Sequence, residues 1–407
     1  MEVSFDREVR NLRLGAGDTF HGEGILAITK ALLQSGVAYV GGYQGAPVSH
    51  LLDVLVQARD YLGELGVHVE ACANEASAAA MLGASIHYPV RGAVTWKSIV
   101  GTNVAADALS NLASPGVRGG ALIIVGEDYG EGASVIQERT HAYAQKSSLL
   151  LLDPRPDLAQ MVRAVEHGFA VSEASGMPAI LQLRIRACHV RGSFACSDNV
   201  APAISARRML DAPAAFDYAK LSHPPVTFAH EKRKVAERIP AARDYIVAHK
   251  LNERFAGHRD DVGLIVQGGL YNSVVGALGC LGLSDAFGGG ELPMLVLNVT
   301  YPLVPEEVRD FCLGKRAVLV IEEGHPPYIE QDVQATLARL DVQTQVRGKD
   351  VLPAAGEYTV EVLARGLAGF VASEAGDLDV AAGREWLARL DATRADVAAR
   401  LAGPLPP

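Results

Sequence analysis

The residues best suited to chemistry are a carboxylate and an amine that each follow an apolar segment. Glu75 stands in ACANEASAAAMLGAS, where an apolar run meets an alanine-rich one, and Lys97 stands in TWKSIVGTN, ahead of Gly101 and Asn103. A desolvated carboxylate can hydrogen-bond a nitrogen heterocycle, and an amine beside glycine and amide groups can bind a carboxylate or an oxyanion. The plainer interpretations are that Glu75 is an acid favoured at a helix N-terminus and that Lys97 is a solvated charge.

Two further segments carry polar side chains in irregular surroundings. The segment GGYQGAP at 41–47 is glycine-rich like a phosphate-binding loop, but its glycine spacing alone is also that of an ordinary turn. The stretch EDYGEGASVIQERTHAYA at 127–144 has no regular periodicity, and long loops at the mouth of a sheet are commonly functional or disordered. His141 and His50 are candidate acid–base groups, although a lone histidine more often serves only as a hydrogen-bonding group.

The sequence excludes several common types of site. The dinucleotide pattern GxGxxG after the first strand, the phosphate-loop pattern GxxxxGK[ST], the nucleophile elbow GxSxG and the zinc motif HExxH do not occur. The five cysteines include no Cys-x-x-Cys pair, so we expect no metal site or iron–sulfur cluster within this chain. A net charge of −10 disfavours nucleic-acid binding. The sequence has no apolar run of about 18 residues and no signal-peptide pattern, so we expect a cytoplasmic protein without a membrane segment.

The elements that must position these residues alternate between strand-like and helix-like segments. This alternation runs through the first 190 residues and resumes near residue 260, which predicts two parallel sheets covered by helices. Polar residues and glycines follow the predicted strands at 41–47, 97–103 and 126–134. Because ligands bind at the carboxyl ends of parallel strands, these three segments are expected to form the site. The predicted fold class is α/β, with two doubly wound parallel-sheet domains.

The domain boundaries follow from changes in composition. We predict a first domain at 1–192 and a second at 259–372. Between them, 193–258 is rich in proline and then in charge, which is typical of an exposed connector. The remainder, 373–407, is predicted to be a short amphipathic helix with a Pro-rich tail.

Several of these segments together resemble the 2-oxoacid:ferredoxin oxidoreductases, in particular their indolepyruvate branch. In the first domain the matching segments are GGYQGAPVSHLLDVL, NEASAAAMLGAS and TWKSIVGTNVAADALSNLASPGVRGGALIIVGED, the last ending in two acids. In the second they are GGLYNS, TYPLVPEEV, VIEEGHPPYIEQDV and GKDVLPAAGEYT. The resemblance is collinear over roughly residues 18–372.

The resemblance implies a fold, a reaction and partners. The first domain is similar to the family's thiamine-diphosphate pyrimidine-binding domain, and the second to its transketolase-C-like domain. The family decarboxylates a 2-oxoacid oxidatively to an acyl-CoA with thiamine diphosphate, and passes electrons through iron–sulfur clusters to ferredoxin or another acceptor. Its diphosphate-binding domain carries a Mg²⁺-binding GDG motif and cysteines, and this chain contains no GDG. The resemblance therefore implies a partner subunit with Mg²⁺, the cluster and the rest of the cofactor, as well as a gamma-type subunit. This chain is expected to be inactive alone.

By motif position, the resemblance makes Glu75 the catalytic glutamate that hydrogen-bonds the aminopyrimidine ring. Further residues that it implies for cofactor binding are Gly45, Ala46, Pro47, Asn74 and Asn103. Those that it suggests for substrate contact are Gln44, Lys97, Ser98 and His141. Gln44 and Ala46 stand where the family usually has proline and threonine, so a hydroxyl contact to the substrate is not carried over. Ser98 stands where relatives often have histidine, so an acid–base role is not carried over either.

Two alternative functions remain open at this stage. The chain could belong to a two-subunit, non-oxidative thiamine-dependent decarboxylase, although such enzymes lack the second α/β domain predicted at 259–372. It could also be a non-catalytic assembly subunit that retains the fold, which the presence of Glu75, Lys97 and Asn103 argues against. A partner chain rich in cysteine would favour the oxidoreductase.

Overall fold

The computed structural model describes residues 4–130, 134–205, 217–285 and 289–401. Its contacts divide the chain into two units. The first runs as far as Asn252 and includes Leu297–Val304, and the second comprises Glu253–Val296 and the chain from Pro305 onward. Both units are built of parallel strands and helices, which confirms the predicted fold class.

The first unit contains a seven-stranded sheet in the order β12-β6-β7-β5-β4-β2-β3. All neighbouring pairs are parallel except β12 with β6. The strands of this unit, including the separate antiparallel pair β1 and β8, are β1 Thr19–Glu23, β2 Tyr39–Gly42, β3 His68–Ala71, β4 Gly92–Lys97, β5 Ala121–Gly126, β6 Leu150–Leu152, β7 Ala179–Leu183, β8 Arg191–Ala195 and β12 Val299–Tyr301.

The helices of the first unit lie between these strands. They are α1 Asp6–Asn11, α2 Gly24–Gln34, α3 Ser49–Gln57, α4 Arg59–Leu65, α5 Glu75–Met81, α6 Ala84–His87, α7 Val100–Ala113, α8 His141–Ser147, α9 Leu158–Ser175, α10 Ile185–His189, α11 Val226–Arg233 and α12 Ile239–Ala248. A 3₁₀ turn at Tyr218–Lys220 and a π-helical turn at Lys234–Arg238 complete it.

Apolar strands explain why this sheet is covered on both faces. Every residue of β5 (ALIIVG) and of β7 (AILQL) is buried. A strand can be buried along its whole length only where both faces of the sheet are covered. The long helices α2 and α9 contribute much of one covering layer, with Ile25, Ile28 and Phe169 fully buried.

The stretch predicted as a connector, 193–258, belongs almost entirely to the first unit, which continues as far as Asn252. Residues 193–195 lie in β8, and Ala242 and Ile246 of α12 are buried in the core of the first unit. The buried Arg238 guanidinium donates to the carbonyl oxygens of three residues at the end of α7, Ala113 (3.1 Å), Ser114 (3.0 Å) and Pro115 (2.6 Å). A long basic side chain can thus satisfy helix-end carbonyls, so a charged pattern does not require an exposed segment. Part of the Pro-rich stretch, 206–216, lies outside the described residues.

The second unit contains a five-stranded sheet in the order β14-β13-β10-β11-β9, with β9 antiparallel to β11. Its strands are β9 Glu253–Phe255, β10 Val262–Gln267, β11 Met294–Leu297, β13 Ala317–Ile321 and β14 Gln345–Arg347. Its helices are α13 Tyr271–Cys280, α14 Pro305–Cys312, α15 Tyr328–Arg339, α16 Val360–Glu374 and α17 Ala381–Leu401, with a 3₁₀ turn at Gly268–Leu270.

The C-terminal helix is longer than predicted. The short amphipathic helix expected within 373–407 is the 21-residue α17, anchored by the buried Gly383 and Leu387 and otherwise largely exposed. Residues 402–407, the predicted Pro-rich tail, lie outside the described residues. Among the helices given above, none combines the length and the hydropathy needed to cross a bilayer.

Candidate functional site

The carboxyl ends of three neighbouring strands, β2, β4 and β5, meet at one edge of the first sheet. The turn after β2 lies directly against the other two strand ends. A Cβ atom added to Gly45 would lie 2.5 Å from Cβ and 2.7 Å from the backbone nitrogen of Lys97, the last residue of β4. Pro47 lies equally close to the end of β5, because a Cβ on Gly126 would come within 2.4 Å of its Cδ. This close approach requires glycine at position 45 and brings segments 41–47 and 97–103 together, as predicted.

Glu75 is the first residue of α5 and is almost buried, with 9% of its surface exposed. The preceding Asn74 caps the helix, because its Oδ1 accepts a hydrogen bond of 2.8 Å from the backbone N–H of Ser77. A Cβ on Gly101 would lie 2.7 Å from Oε1 of Glu75, so the carboxylate lies against the first turn of α7 as well. The first turns of two helices, α5 and α7, therefore meet at one carboxylate.

The other residues suggested for this edge are more exposed. Lys97 is half-buried, and Gln44 and Ala46 are exposed on the turn after β2. The Gln44 amide donates to the Asp53 carboxylate. Asn103 is exposed on α7, where its Oδ1 accepts a hydrogen bond of 2.5 Å from the Tyr143 hydroxyl. These side chains belong to the elements that meet at the same sheet edge as Glu75.

Ser98 and His141 lie in the interior. Ser98 is 1% exposed, and its hydroxyl oxygen is 2.7 Å from the Thr102 hydroxyl oxygen and 2.5 Å from that of Thr140. His141 is also 1% exposed and packs edge-to-face on Tyr301, with ring centroids 6.3 Å apart. Burial, with a smaller contribution from Arg139, lowers the pKa of His141 well below its ordinary value. A neutral, buried imidazole is suited to packing rather than to binding an anionic substrate.

His50, the other histidine considered from the sequence, lies in a separate group of charges. Its Nδ1 is 3.8 Å from a carboxylate oxygen of Glu23, and the same carboxylate pairs with His189 (3.6 Å) and Arg191 (3.1 Å). An ion-pair partner gives His50 a structural role, and the structure does not place it with Glu75.

Sequence reasoning missed Glu127 as a buried group of the site. It follows β5 directly and is 2% exposed. One carboxylate oxygen accepts from the Tyr129 hydroxyl, and the other accepts from the backbone N–H of Thr140 at 3.0 Å. Burial raises the pKa of Glu127 to about 7, against the opposing effects of the Thr140 hydrogen bonds and of Arg139 and Arg184. The signal in the sequence is an ionisable residue placed immediately after a wholly apolar strand.

A buried ion pair completes this edge beside β5. Arg184, after β7, donates through Nη1 to both oxygens of Asp153, after β6, at 2.9 Å. Asp128 accepts a hydrogen bond of 2.9 Å from the backbone N–H of Ile185. These contacts tie the carboxyl ends of β5, β6 and β7 together. Parallel pairing of the strands makes this possible, because it brings all their carboxyl ends to one edge.

Two solved structures share the fold of this chain. One is a 2-oxoglutarate:ferredoxin oxidoreductase from Magnetococcus marinus, determined with 2-oxoglutarate, coenzyme A and succinyl-CoA bound, with a TM-score of 0.64, 14% identity, and coverage of 86% of this chain and 65% of that chain. The other is a split-gene transketolase in an inactive β4 tetramer, with a TM-score of 0.52, 14% identity, and coverage of 86% and 98%. At this identity the likeness establishes the fold.

The sequence relatives are more specific. They include subunits IorA of indolepyruvate oxidoreductase from Methanothermobacter thermautotrophicus (30% identical over 359 residues, 87% of this chain and 54% of the relative), Methanothermobacter marburgensis (27% over 363 residues, 88% and 55%) and Pyrococcus abyssi (25% over 352 residues, 86% and 52%). The chain spans about half the length of these curated relatives. No protein-family model matches it. The resemblance to the indolepyruvate branch of the 2-oxoacid:ferredoxin oxidoreductases is thereby confirmed.

Proposed function

We propose that this chain is a subunit of a thiamine-diphosphate-dependent 2-oxoacid:acceptor oxidoreductase and supplies the pyrimidine side of the cofactor site. The observation that carries the proposal is the position of Glu75. Its carboxylate lies at the first turns of two helices, at the sheet edge where the turn after β2 covers the ends of β4 and β5. Such edges are where open α/β sheets bind ligands.

The residues present fit a flat nitrogen heterocycle. A Cβ on Gly101 would lie 2.7 Å from Oε1 and 2.8 Å from Cγ of Glu75, so glycine at this position lets the backbone of α7 lie against the carboxylate, which is buried except for a small exposed part. Glu75 would hold the aminopyrimidine ring by accepting a hydrogen bond from a ring nitrogen. Asn74, as the N-cap, fixes the turn of helix from which Glu75 projects. Thiamine diphosphate supplies, when bound, the electron sink for decarboxylation of a 2-oxoacid.

The other predicted residues are given supporting roles in this proposal. Gly45, Ala46 and Pro47 form the wall of the ring site, and the buried Pro47 excludes water from the strand ends. Lys97 places a cation at the end of β4, suited to the carboxylate of the 2-oxoacid. Asn103 and Gln44 complete the polar lining. Ser98 and His141 are proposed to act from within the protein rather than by touching substrate.

The substrate and the partners are proposed from the relatives. Their name specifies indolepyruvate, so an aryl 2-oxoacid is the proposed substrate class, converted to its acyl-CoA with ferredoxin or another electron acceptor. A partner chain is proposed to bind the diphosphate, Mg²⁺ and an iron–sulfur cluster, because this sequence contains neither GDG nor paired cysteines. The second α/β unit, which begins at Glu253, favours the oxidoreductase over a two-chain non-oxidative decarboxylase.

The substitution Glu75→Gln in the assembled enzyme tests the proposal. The amide keeps the shape of the side chain but removes the negative charge that polarises the ring, so hydrogen–deuterium exchange at C2 of the bound cofactor should slow by about 10²–10⁴-fold. The matched control is Glu70→Gln on β3, whose side chain is half-exposed, and exchange should there be unchanged. Equal exchange in wild type and Glu75→Gln would leave Glu75 as a helix-terminal acid and reject the proposed role.

A further inference from the structure

A buried chain of hydrogen bonds links Glu127 to the helix that lies against Glu75. We call the hydroxyl groups of Thr140, Ser98 and Thr102 the hydroxyl relay. Thr140 bonds the Glu127 carboxylate through its backbone N–H at 3.0 Å and through its hydroxyl, and the Ser98 hydroxyl bridges the Thr140 and Thr102 hydroxyls at 2.5 and 2.7 Å. At the far end, the Trp96 indole nitrogen is 3.1 Å from the Thr102 hydroxyl oxygen. All five side chains are at most 2% exposed.

The chemistry of its two ends gives the relay a direction. An indole N–H can only donate, so Trp96 donates to Thr102. An ionised carboxylate can only accept, so Thr140 donates to Glu127. With both ends assigned, each relay hydroxyl donates toward Glu127 and accepts from the indole side. Aligned hydrogen bonds of this kind polarise one another, so a change in the protonation of Glu127 alters the hydrogen bonds along the relay.

The relay ends beside the proposed cofactor residue. Thr102 belongs to the first turn of α7, next to Gly101, whose Cβ position is 2.7 Å from Glu75 Oε1 and 2.8 Å from Cδ1 of Trp96. We propose that Glu127, acting through the hydroxyl relay, is a positioning residue that holds the first turn of α7, and with it Gly101, against Glu75. This inference rests on the proposed function of Glu75 for its catalytic consequence, but the relay itself can be tested without cofactor.

The protonation of Glu127 decides how well the relay is anchored. Ionised, Glu127 accepts from Tyr129 and from the N–H and hydroxyl of Thr140. Protonated, it carries a hydrogen of its own, and one of these donors loses its acceptor. Because burial raises its pKa to about 7, both forms occur near neutral pH. The titratable and charged groups around it are Asp128 beside it in the chain, Tyr129 on the same loop, Arg139 ahead of α8, His141 at the start of α8, Arg184 after β7 and, paired with Arg184, Asp153 after β6.

The N–H signal of the Trp96 indole reports on the relay, because packing alone would not make this signal depend on pH. The sequence contains only two tryptophans, so in the full chain labelled with ¹⁵N-tryptophan the Trp96 and Trp386 N–H signals can be followed from about pH 5.5 to about pH 8.5. We expect the Trp96 signal to titrate with a midpoint near that of Glu127 and the Trp386 signal, from the second unit, to stay constant. Glu127→Gln should abolish the titration. A Trp96 signal that is constant in wild type would overturn the proposal.

Removing the middle hydroxyl group of the relay distinguishes an effect transmitted through the relay from an effect of general packing. Ser98→Ala keeps Glu127 but removes the bridging hydroxyl, so the Trp96 signal should no longer titrate. Ser110→Ala is the matched control, because Ser110 is a partly buried serine of α7 whose hydroxyl donates to the carbonyl oxygen of Ala106, outside the relay. Titration that persists in Ser98→Ala would reject the relay as the path.

In the assembled enzyme, the same variants test whether the relay affects the proposed cofactor site. Exchange at C2 of the cofactor should increase in wild type as pH rises through the midpoint of Glu127, and this pH dependence should flatten in Glu127→Gln, with at least a several-fold loss of rate at the higher pH. Unchanged pH dependence in Glu127→Gln would overturn the positioning role. An assembled wild type with no exchange at all would instead reject the proposed thiamine function, while the Trp96 titration would still decide whether the relay exists.

Discussion

Two carboxylates at the same sheet edge have different surroundings. Glu75 lies at the first turns of α5 and α7 and keeps a small exposed part, whereas Glu127 is enclosed among hydroxyl groups behind the end of β5. Helix N-termini favour a negative charge, and burial disfavours it. For Glu127, burial raises the pKa to about 7, so its protonation changes near neutral pH.

At the residue scale, the buried Asp153–Arg184 pair should be costly to break. Asp153→Asn keeps the shape but leaves the Arg184 charge, 7% exposed, without its counter-ion, so the free energy of unfolding should fall by about 3–5 kcal/mol. The control is Glu173→Gln, which breaks the partly exposed Arg91–Glu173 pair and should cost about 1 kcal/mol or less. Urea denaturation measures both, and equal losses would show that burial does not decide the cost.

At the scale of elements, the C-terminus of α7 depends on a side chain from distant sequence. Helix ends leave carbonyl groups without intrahelical partners. At the end of α7, the Arg238 guanidinium donates hydrogen bonds to the carbonyl oxygens of Ala113, Ser114 and Pro115. Arg238 belongs to the π-helical turn before α12. The helix that presents Gly101 to Glu75 is thus held at both ends, by the hydroxyl relay at its start and by Arg238 at its finish.

Removing the guanidinium should therefore destabilise the first unit. Arg238→Met keeps most of the apolar stem but leaves buried carbonyl groups unsatisfied, so we expect a loss of about 1.5–3 kcal/mol in the free energy of unfolding. Arg233→Met, at an exposed position just before the same turn, should change it by no more than about 0.5 kcal/mol. Chemical denaturation followed by circular dichroism compares the two, and a neutral Arg238→Met would show that the capping contacts contribute nothing.

At the scale of the whole molecule, each unit has its own apolar core, and the second adds a network of ion pairs at its surface. The network joins Asp377 to Arg259 (2.6 Å), Arg259 to Asp261 (2.8 Å), Asp261 to Arg316 (3.5 Å), and Arg316 and Arg347 to Glu374 (2.5 and 3.1 Å). The hydrogen bonds from Arg259 hold the pKa of Asp261 below its ordinary value. Networks contribute more than isolated surface pairs, which are worth about 1 kcal/mol or less.

The sign of the pH dependence follows from that pKa. A carboxyl group whose pKa is lowered by folding stabilises the protein above its unfolded pKa, and this stabilisation is lost as the pH falls through the folded pKa. Asp261→Asn should therefore lower the melting temperature at neutral pH, and the difference from wild type should vanish in strong acid. Asp310→Asn, in a single exposed pair with Arg309, should have a smaller effect at neutral pH. Calorimetry across the acid range tests this, and a difference that persists in strong acid would contradict it.

A second prediction at this scale concerns the isolated chain. Under the proposed function, this chain should bind thiamine diphosphate with Mg²⁺ only weakly and show no 2-oxoacid turnover without the proposed partner chain. Isothermal titration calorimetry of the purified chain, compared with the assembled enzyme, measures the difference. Stoichiometric tight binding, or turnover of an aryl 2-oxoacid by the chain alone, would contradict the division of the site between two chains.

Local pattern determined the parallel α/β class and the sheet edge at which the candidate site lies. Neighbouring residues alone suffice to interpret the mainly apolar runs of β5 and β7 and the polar segments after β2 and β4. Burial of both faces of a strand, and the end of a strand, can each be recognised from the residues of one segment. The same holds for Glu75, since an acid that begins an alanine-rich run indicates a helix start. The resemblance then added the cofactor and the reaction.

Only the tertiary structure decided the features that depend on which distant segments meet. Ser98 is buried because residue 140 returns to the end of β4, and Glu127 has a raised pKa because Arg139 and Arg184 do not offset its burial. Arg238 is buried because it lies over the end of α7, although its own segment is charged enough to predict exposure. Side-chain environments of this kind are sums over contacts from several elements, and no single stretch of sequence contains them.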